Sequence, residues 1–209
     1  DVTDEAQVAQ MVKNTLARLG RVDGLVNSAG VAPLAPITEC TLETWERTMR
    51  VNATGTFLCC REVWTPMRQQ GGGSILNISS GAGKRAHAEW VAYCASKYAI
   101  RGFSQALSRE LSDTAVGVGY IMPRAAKTAI NSDRVVEMNR RLKVAMDPPQ
   151  AVALKDHRKG WAGRPGPIRI LYIYRAHGFK GGHRWVPEQT SDIRTSRPET
   201  SRLPSPEKK

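Results

Sequence analysis

Apolar positions between residues 4 and 19 fall at Val8, Met11, Val12, Leu16 and Leu19, with Thr15 on the same stripe. That three- and four-residue spacing predicts an amphipathic helix. Thr3 or Asp4 can cap its start and Gly20 can end it. Residues 22–27 form a short apolar run that enters Ser28-Ala29-Gly30, the pattern of a buried strand followed by a tight turn. A second helical pattern covers 41–69, with Leu42, Trp45, Met49, Phe57, Leu58 and Val63 on its apolar positions. Asn52, Thr54 and Gly55 interrupt it, being poor helix formers. After the glycines at 71–73 comes a second strand, SILNIS at 74–79, then the loop 80–90 and a helix over 91–111. A third strand over 116–122 stops at Pro123.

Strands alternating with helices predict βαβ crossovers and a parallel sheet. Ligands bind beyond the carboxyl ends of such strands. Three polar or small-residue stretches fall there: 27–30, 79–80 and 123–128. Asp1-Val2 makes a fourth if a strand precedes it. From residue 164 the pattern fails. One apolar run, 168–174, is followed by Pro, Gly, Ser, Thr and charge, which reads as a disordered tail. The expected division is therefore a domain over 1–163 and a tail over 164–209.

The chain has 209 residues, enough for one domain with a real core. No apolar run approaches the roughly 18–20 residues of a spanning helix, so no membrane association is expected. No basic-then-apolar leader is visible, and a cytoplasmic location is expected. The net charge of +12 is uneven. Residues 1–150 carry 18 Lys/Arg against 14 Asp/Glu, and 151–209 carry 13 against 5. A basic end of this kind can bind nucleic acid or an anionic surface. It shows no nucleic-acid signature, so it is read as solvated and no nucleic-acid partner is expected. Cys40, Cys59, Cys60 and Cys94 form no CxxC pair and His87, His157, His177 and His183 no ligand spacing. Buried reduced thiols and no metal are the reading.

The chemistry sits in YCASK, 93–97. Residues four apart share a helix face, so Tyr93 and Lys97 project to one side. A phenol ordinarily titrates near ~10, and a neighbouring ammonium lowers that value. A phenol tuned in this way exchanges a proton with a hydroxyl/carbonyl pair. Such pairs also arise by chance on helix surfaces. Their neighbours distinguish this one: Ser80 lies at a strand end, where its hydroxyl can share a substrate oxygen with the phenol. Asn52 can hold a water linking Lys97 to solvent.

DVTD (1–4), NSAG (27–30), VNATG (51–55), NISS (77–80), YCASK (93–97) and PRAAKT (123–128) follow one another in the order found in the short-chain dehydrogenase/reductase family, which the chain resembles over 1–128. The resemblance implies an α/β, Rossmann-like doubly wound parallel sheet. It implies reversible hydride transfer between NAD or NADP and an alcohol/ketone pair, the small-molecule partner. Tyr93 would be the acid/base. Lys97 would lower its pKa and bind the nicotinamide ribose. Ser80 would polarise the carbonyl, and Asn52 would support a relay through water. Asp1 and Val2 would contact adenine, and Asn27, Ala29 and Gly30 would line the adenosine side. Pro123, Ala126 and Thr128 would lie by the nicotinamide. Residues 81–92 would wall the substrate pocket, with His87 and Trp90 as contacts. Residues 129–160, with Met138, Leu142, Val144 and Met146, resemble the family's lid. The family's usual assembly is a homodimer or homotetramer.

Three departures bear on these expectations. The family's opening turn, TGxxxGxG, which seats a pyrophosphate at a helix N-terminus, is not in these residues. The sheet is therefore expected to be incomplete, without its first two β–α units and with an apolar strand edge uncovered. Arg124 stands where the family has Gly, either beside a phosphate or carboxylate or disturbing the cofactor pocket. WAGRP (161–165) resembles the lead-in to a final helix and strand that do not follow, as after a reading-frame shift. The alternatives to an active oxidoreductase are thus an inactive fragment, poorly stable and without cofactor binding, and a basic-tail interaction protein.

Overall fold

The structure is a computed structural model that describes residues 1–128 and 130–148 and the backbone of a strand at 170–173. The first helix, α1 (Glu5–Leu19), starts where the Asp4 side chain accepts the Gln7 N–H and ends at Gly20, whose φ of 75° closes the last turn. Both are the caps expected. Strand β1 (Gly24–Asn27) is buried at every position. That is why it reads as a continuous apolar run rather than an alternation.

The 41–69 segment is two α-helices joined in line, α2 (Leu42–Met49) and α3 (Gly55–Gln69), by a π-helical turn over Arg50–Thr54. The poor helix formers at 52–55 therefore widen the helix by a residue rather than end it. Gly55 is required on packing grounds: a Cβ there would lie 2.8 Å from Val2 Cγ2. Strand β2 (Gly73–Ile78), helix α4 (Val91–Glu110) and strand β3 (Val116–Ile121) follow at the expected places, then α5 (Asp133–Arg141).

The strands pair in parallel in the order β3-β2-β1-β4, where β4 is Ile170–Ile173. The steps β1 to β2 to β3 run one way, so right-handed crossovers put α3 and α4 on one face of the sheet. There α3 packs over β1 and β2, α4 over β2 and β3, and α1 beside α3. Val8, Val12, Leu25, Leu58, Val63, Met67 and Ile75 form the centre of this core.

One expectation changes here. Ile170–Ile173, placed by sequence in an unstructured tail, pair in register with Gly24–Asn27. The apolar run satisfies the N–H and C=O groups along β1, so the uncovered edge expected at β1 is paired instead. The segment expected to form a lid contributes α5, which buries Val135 and Asn139, while Leu142 and Val144 are exposed. The remainder of the expected lid and tail, including WAGRP, lies outside the described residues.

Candidate functional site

The ends of β1 and β2, the turn after β2 and the first turns of α4 converge on Tyr93 and Lys97. Ser80 follows the last residues of β2 and caps a short 3₁₀ turn (Gly81–Gly83), its hydroxyl accepting the Ala82 N–H. Ser80 also bears on the Tyr93 phenol, whose proton it makes easier to lose. Tyr93 is buried with Ala82 and Cys94, and Ala32 and Trp90 pack against this group. Burial pushes the Tyr93 phenol above its ordinary value, and Ser80 opposes that rise.

The Lys97 ammonium lies over the face of the Tyr93 ring, 5.6 Å from its centroid, and donates to the Ile78 carbonyl at 2.9 Å. Burial pulls Lys97 down to about 8. Burial is the leading influence on both groups.

Asn52 sits in the π-turn, fully buried. Its Oδ1 accepts the Val31 N–H at 2.8 Å, and its Nδ2 donates to the Val31 carbonyl and to Ser96 Oγ, each at 2.9 Å. Both amide protons are thereby taken, and the side chain ties the loop after β1 to α4. Ser96 continues that tie by donating to the Tyr93 carbonyl at 2.8 Å. Ser96 and Ser79 were not among the candidates read from sequence. Their positions beside Lys97 and Ser80 were the available signal, but a hydroxyl's partner is fixed only in three dimensions.

Gly30 lies beside this cluster: a Cβ would fall 3.3 Å from Asn52 Oδ1 and 3.8 Å from Lys97 Nζ. The missing side chain keeps space clear next to the ammonium, one of whose three protons goes to Ile78. That combination suits a ligand diol such as the ribose of a nicotinamide dinucleotide. Among the described residues, no group of three or more His, Cys, Asp or Glu could hold a metal ion. Cys59 and Cys60 are buried free thiols, pushed up to about 12 by burial.

Several candidates stand elsewhere. Asn27 is buried at the end of β1 and donates to Asn77 Oδ1 at 2.9 Å and Cys60 Sγ at 3.3 Å, so its side chain cross-links the sheet rather than lining a ligand. The cause is orientation: on this strand its side chain faces α3. Val2 is a core residue packed on Gly55. Asp1 is exposed and accepts the Thr3 N–H. Ala29 packs at the edge of the main core. Pro123 accepts the Gly81 N–H at 3.1 Å, and Ala126 pairs with Asp147 as a short parallel bridge. Thr128 is exposed. Arg124 makes a bidentate pair with the Asp147 carboxylate at 2.8–3.1 Å, the carboxylate reading of the two weighed. His87 meets Trp90 edge to face at 6.1 Å, and Trp90 stands between it and Tyr93, 4.9 Å from the Tyr93 ring.

Residues 1–139 match the family model described as short chain dehydrogenase. The chain is 43% identical over 130 residues to D-threitol dehydrogenase of Mycolicibacterium smegmatis, covering 62% of this chain and 50% of that protein. It is 38% identical over 128 residues to 3-alpha-(or 20-beta)-hydroxysteroid dehydrogenase of Mycobacterium bovis, covering 61% and 49%. The matched segment thus spans about half the length of these curated relatives. Among solved structures, it is similar to a short-chain dehydrogenase from Streptomyces avermitilis at a TM-score of 0.66 and 28% identity, covering 83% of this chain and 68% of that one. It is similar to levodione reductase at a TM-score of 0.62 and 31% identity, covering 68% and 54%.

Proposed function

The chain belongs to the short-chain dehydrogenase family, and from that premise we propose that it serves reversible oxidation of a small secondary alcohol to a ketone with NAD or NADP. The observation that carries the reading is the gathering of Ser80, from the end of β2, with Tyr93 on α4, with Lys97 over the same ring.

In the direction of reduction, the Tyr93 phenol gives its proton to the substrate oxygen, and Ser80 holds that oxygen by a second hydrogen bond. Lys97 serves the phenolate left behind and binds the ribose hydroxyls beside Gly30. Asn52 acts through position, holding the loop after β1 against α4. Trp90 covers one side of Tyr93 and screens it from water, which strengthens each of these interactions. When bound, the nicotinamide cofactor supplies the hydride chemistry. Pro123, Ala126 and Thr128 are proposed to flank the nicotinamide.

The relatives' names span a polyol and a hydroxysteroid, so they support a secondary alcohol as the substrate class. One relative's name specifies NAD(+), which makes NAD the first cofactor to test. The test is turnover of a panel of polyols, hydroxysteroids and small ketones, followed by absorbance of the reduced cofactor. Tyr93→Phe should abolish it. Equal turnover in Tyr93→Phe and the parent would overturn the assignment.

A further inference from the structure

Ser80 and Tyr93 come from different elements, and a phenol–hydroxyl hydrogen bond tolerates only a few tenths of an ångström. A set of buried contacts sets their separation. Ser79 is buried, and its Oγ donates to the Lys97 carbonyl at 2.9 Å. Lys97 Nζ returns a bond to the Ile78 carbonyl at 2.9 Å. Residues 78–79 and residue 97 thus hold each other in both directions, side chain to main chain. The 3₁₀ turn closes over this exchange without room for a side chain. A Cβ at Gly83 would lie 2.5 Å from Ser79 Oγ and 2.7 Å from the Lys97 carbonyl oxygen. The same segment is anchored to the neighbouring strand by Ser79 N–H to the Ile121 carbonyl at 2.8 Å and by Gly81 N–H to the Pro123 carbonyl at 3.1 Å.

We infer that Ser79 and Gly83 are positioning residues of the reaction site, clamping the Ser80 turn onto α4 at Lys97 and so fixing the Ser80–Tyr93 distance. Ser79 lies one residue before Ser80, and Lys97 lies one helical turn after Tyr93. A displacement of the clamp therefore moves both partners. Its catalytic consequence rests on the function proposed above, but its geometric consequence does not.

The experiment pairs two readouts on Ser79→Ala and Gly83→Ala in the full chain. The first is an ultraviolet difference titration of the Tyr93 phenol, taken against Tyr93→Phe in each background. Moving Ser80 away should shift the Tyr93 midpoint upward, since Ser80 holds it down. Lys97 and Cys94, the titratable groups beside Tyr93, are the same in all variants. The second readout is turnover: kcat should fall about tenfold in Ser79→Ala and roughly 100-fold in Gly83→Ala, with KM little changed. A lowered melting temperature alone would not produce this split. Ser79→Ala carries the test where Gly83→Ala does not fold. An unmoved Tyr93 midpoint overturns the inference whatever kcat does. Absence of turnover in the parent overturns the proposed function and leaves the titration to decide the clamp.

Discussion

Lys97 directs its ammonium to the Ile78 carbonyl at 2.9 Å, from a position that burial makes unfavourable for charge. Burial lowers its pKa from 10.5 to about 8. Between those values the unfolded chain holds a proton that the folded chain does not, so this group's contribution to stability rises with pH across that window. Below about 8 its full penalty is present. We therefore expect Lys97→Met to be more stable than the parent at pH 7, by on the order of 1–3 kcal/mol. The difference should shrink as pH approaches 10. Urea unfolding of both proteins at pH 7, 8.5 and 10 checks it. A gap that stays constant or widens with pH would show that Lys97 is not buried as a charge.

Tyr93→Phe removes one hydroxyl and leaves the ring packed against Trp90 and beneath Lys97. Stability should change by about 1 kcal/mol, the scale of one hydrogen bond. Turnover should fall by roughly 10²–10⁴-fold, the scale of a lost general acid. Steady-state rates alongside thermal melts separate the two effects. Parallel losses in both would point to a structural role instead.

Asn52→Ala leaves the Val31 N–H, the Val31 carbonyl and Ser96 Oγ without their buried partner. Each orphaned group costs about 1–3 kcal/mol, and partial relaxation recovers some of it, so a loss of about 2–4 kcal/mol is expected. Asn52→Asp should do comparably badly, since it places an acceptor or a charge against the Val31 carbonyl. Urea midpoints measure this. A shift below about 0.5 kcal/mol, the range of ordinary surface changes, would show that the loop after β1 is not held by this amide.

Gly55→Ala sets two effects against each other. In a helix the change is worth up to about 1 kcal/mol of stabilisation. Here the added methyl would lie 2.8 Å from Val2 Cγ2, and overpacking of that kind costs about 1–3 kcal/mol. The clash should win. Gly55→Ala combined with Val2→Ala should recover part of the loss, because the two share one contact. Calorimetric melts of the single and double variants test the coupling, and strict additivity would refute it.

Much of the scaffold was legible along the chain because its signals are local. The stripe ending at Gly20, the apolar run into Asn27 and the glycines after Gln70 each follow from the chemistry of neighbouring residues. The helix pairing of Tyr93 with Lys97 follows from a spacing of four. Their meeting with Ser80 was suggested by the order of the motifs. The segment around 170 was misjudged because four apolar residues among Pro and Gly show no period, and their pairing depends on β1, more than 140 residues earlier.

Residue order and spacing were enough to fix the parallel sheet, the helix carrying Tyr93 and Lys97 and the strand ends where a site gathers, since each depends on period and local geometry. Folding assigned the partners. Asn27 turned into the sheet and Asn52 was spent on Val31 and Ser96, since a side chain's hydrogen bonds depend on what other elements bring beside it. Lys97 gained the Ile78 carbonyl as a partner, because burial depth and the direction of a charge arise only once β2, its following turn and α4 are packed together. The Ser79–Lys97–Gly83 contact belongs to the same class: Ser79 and Gly83 join Lys97 in a clamp only when the strand end and the helix meet.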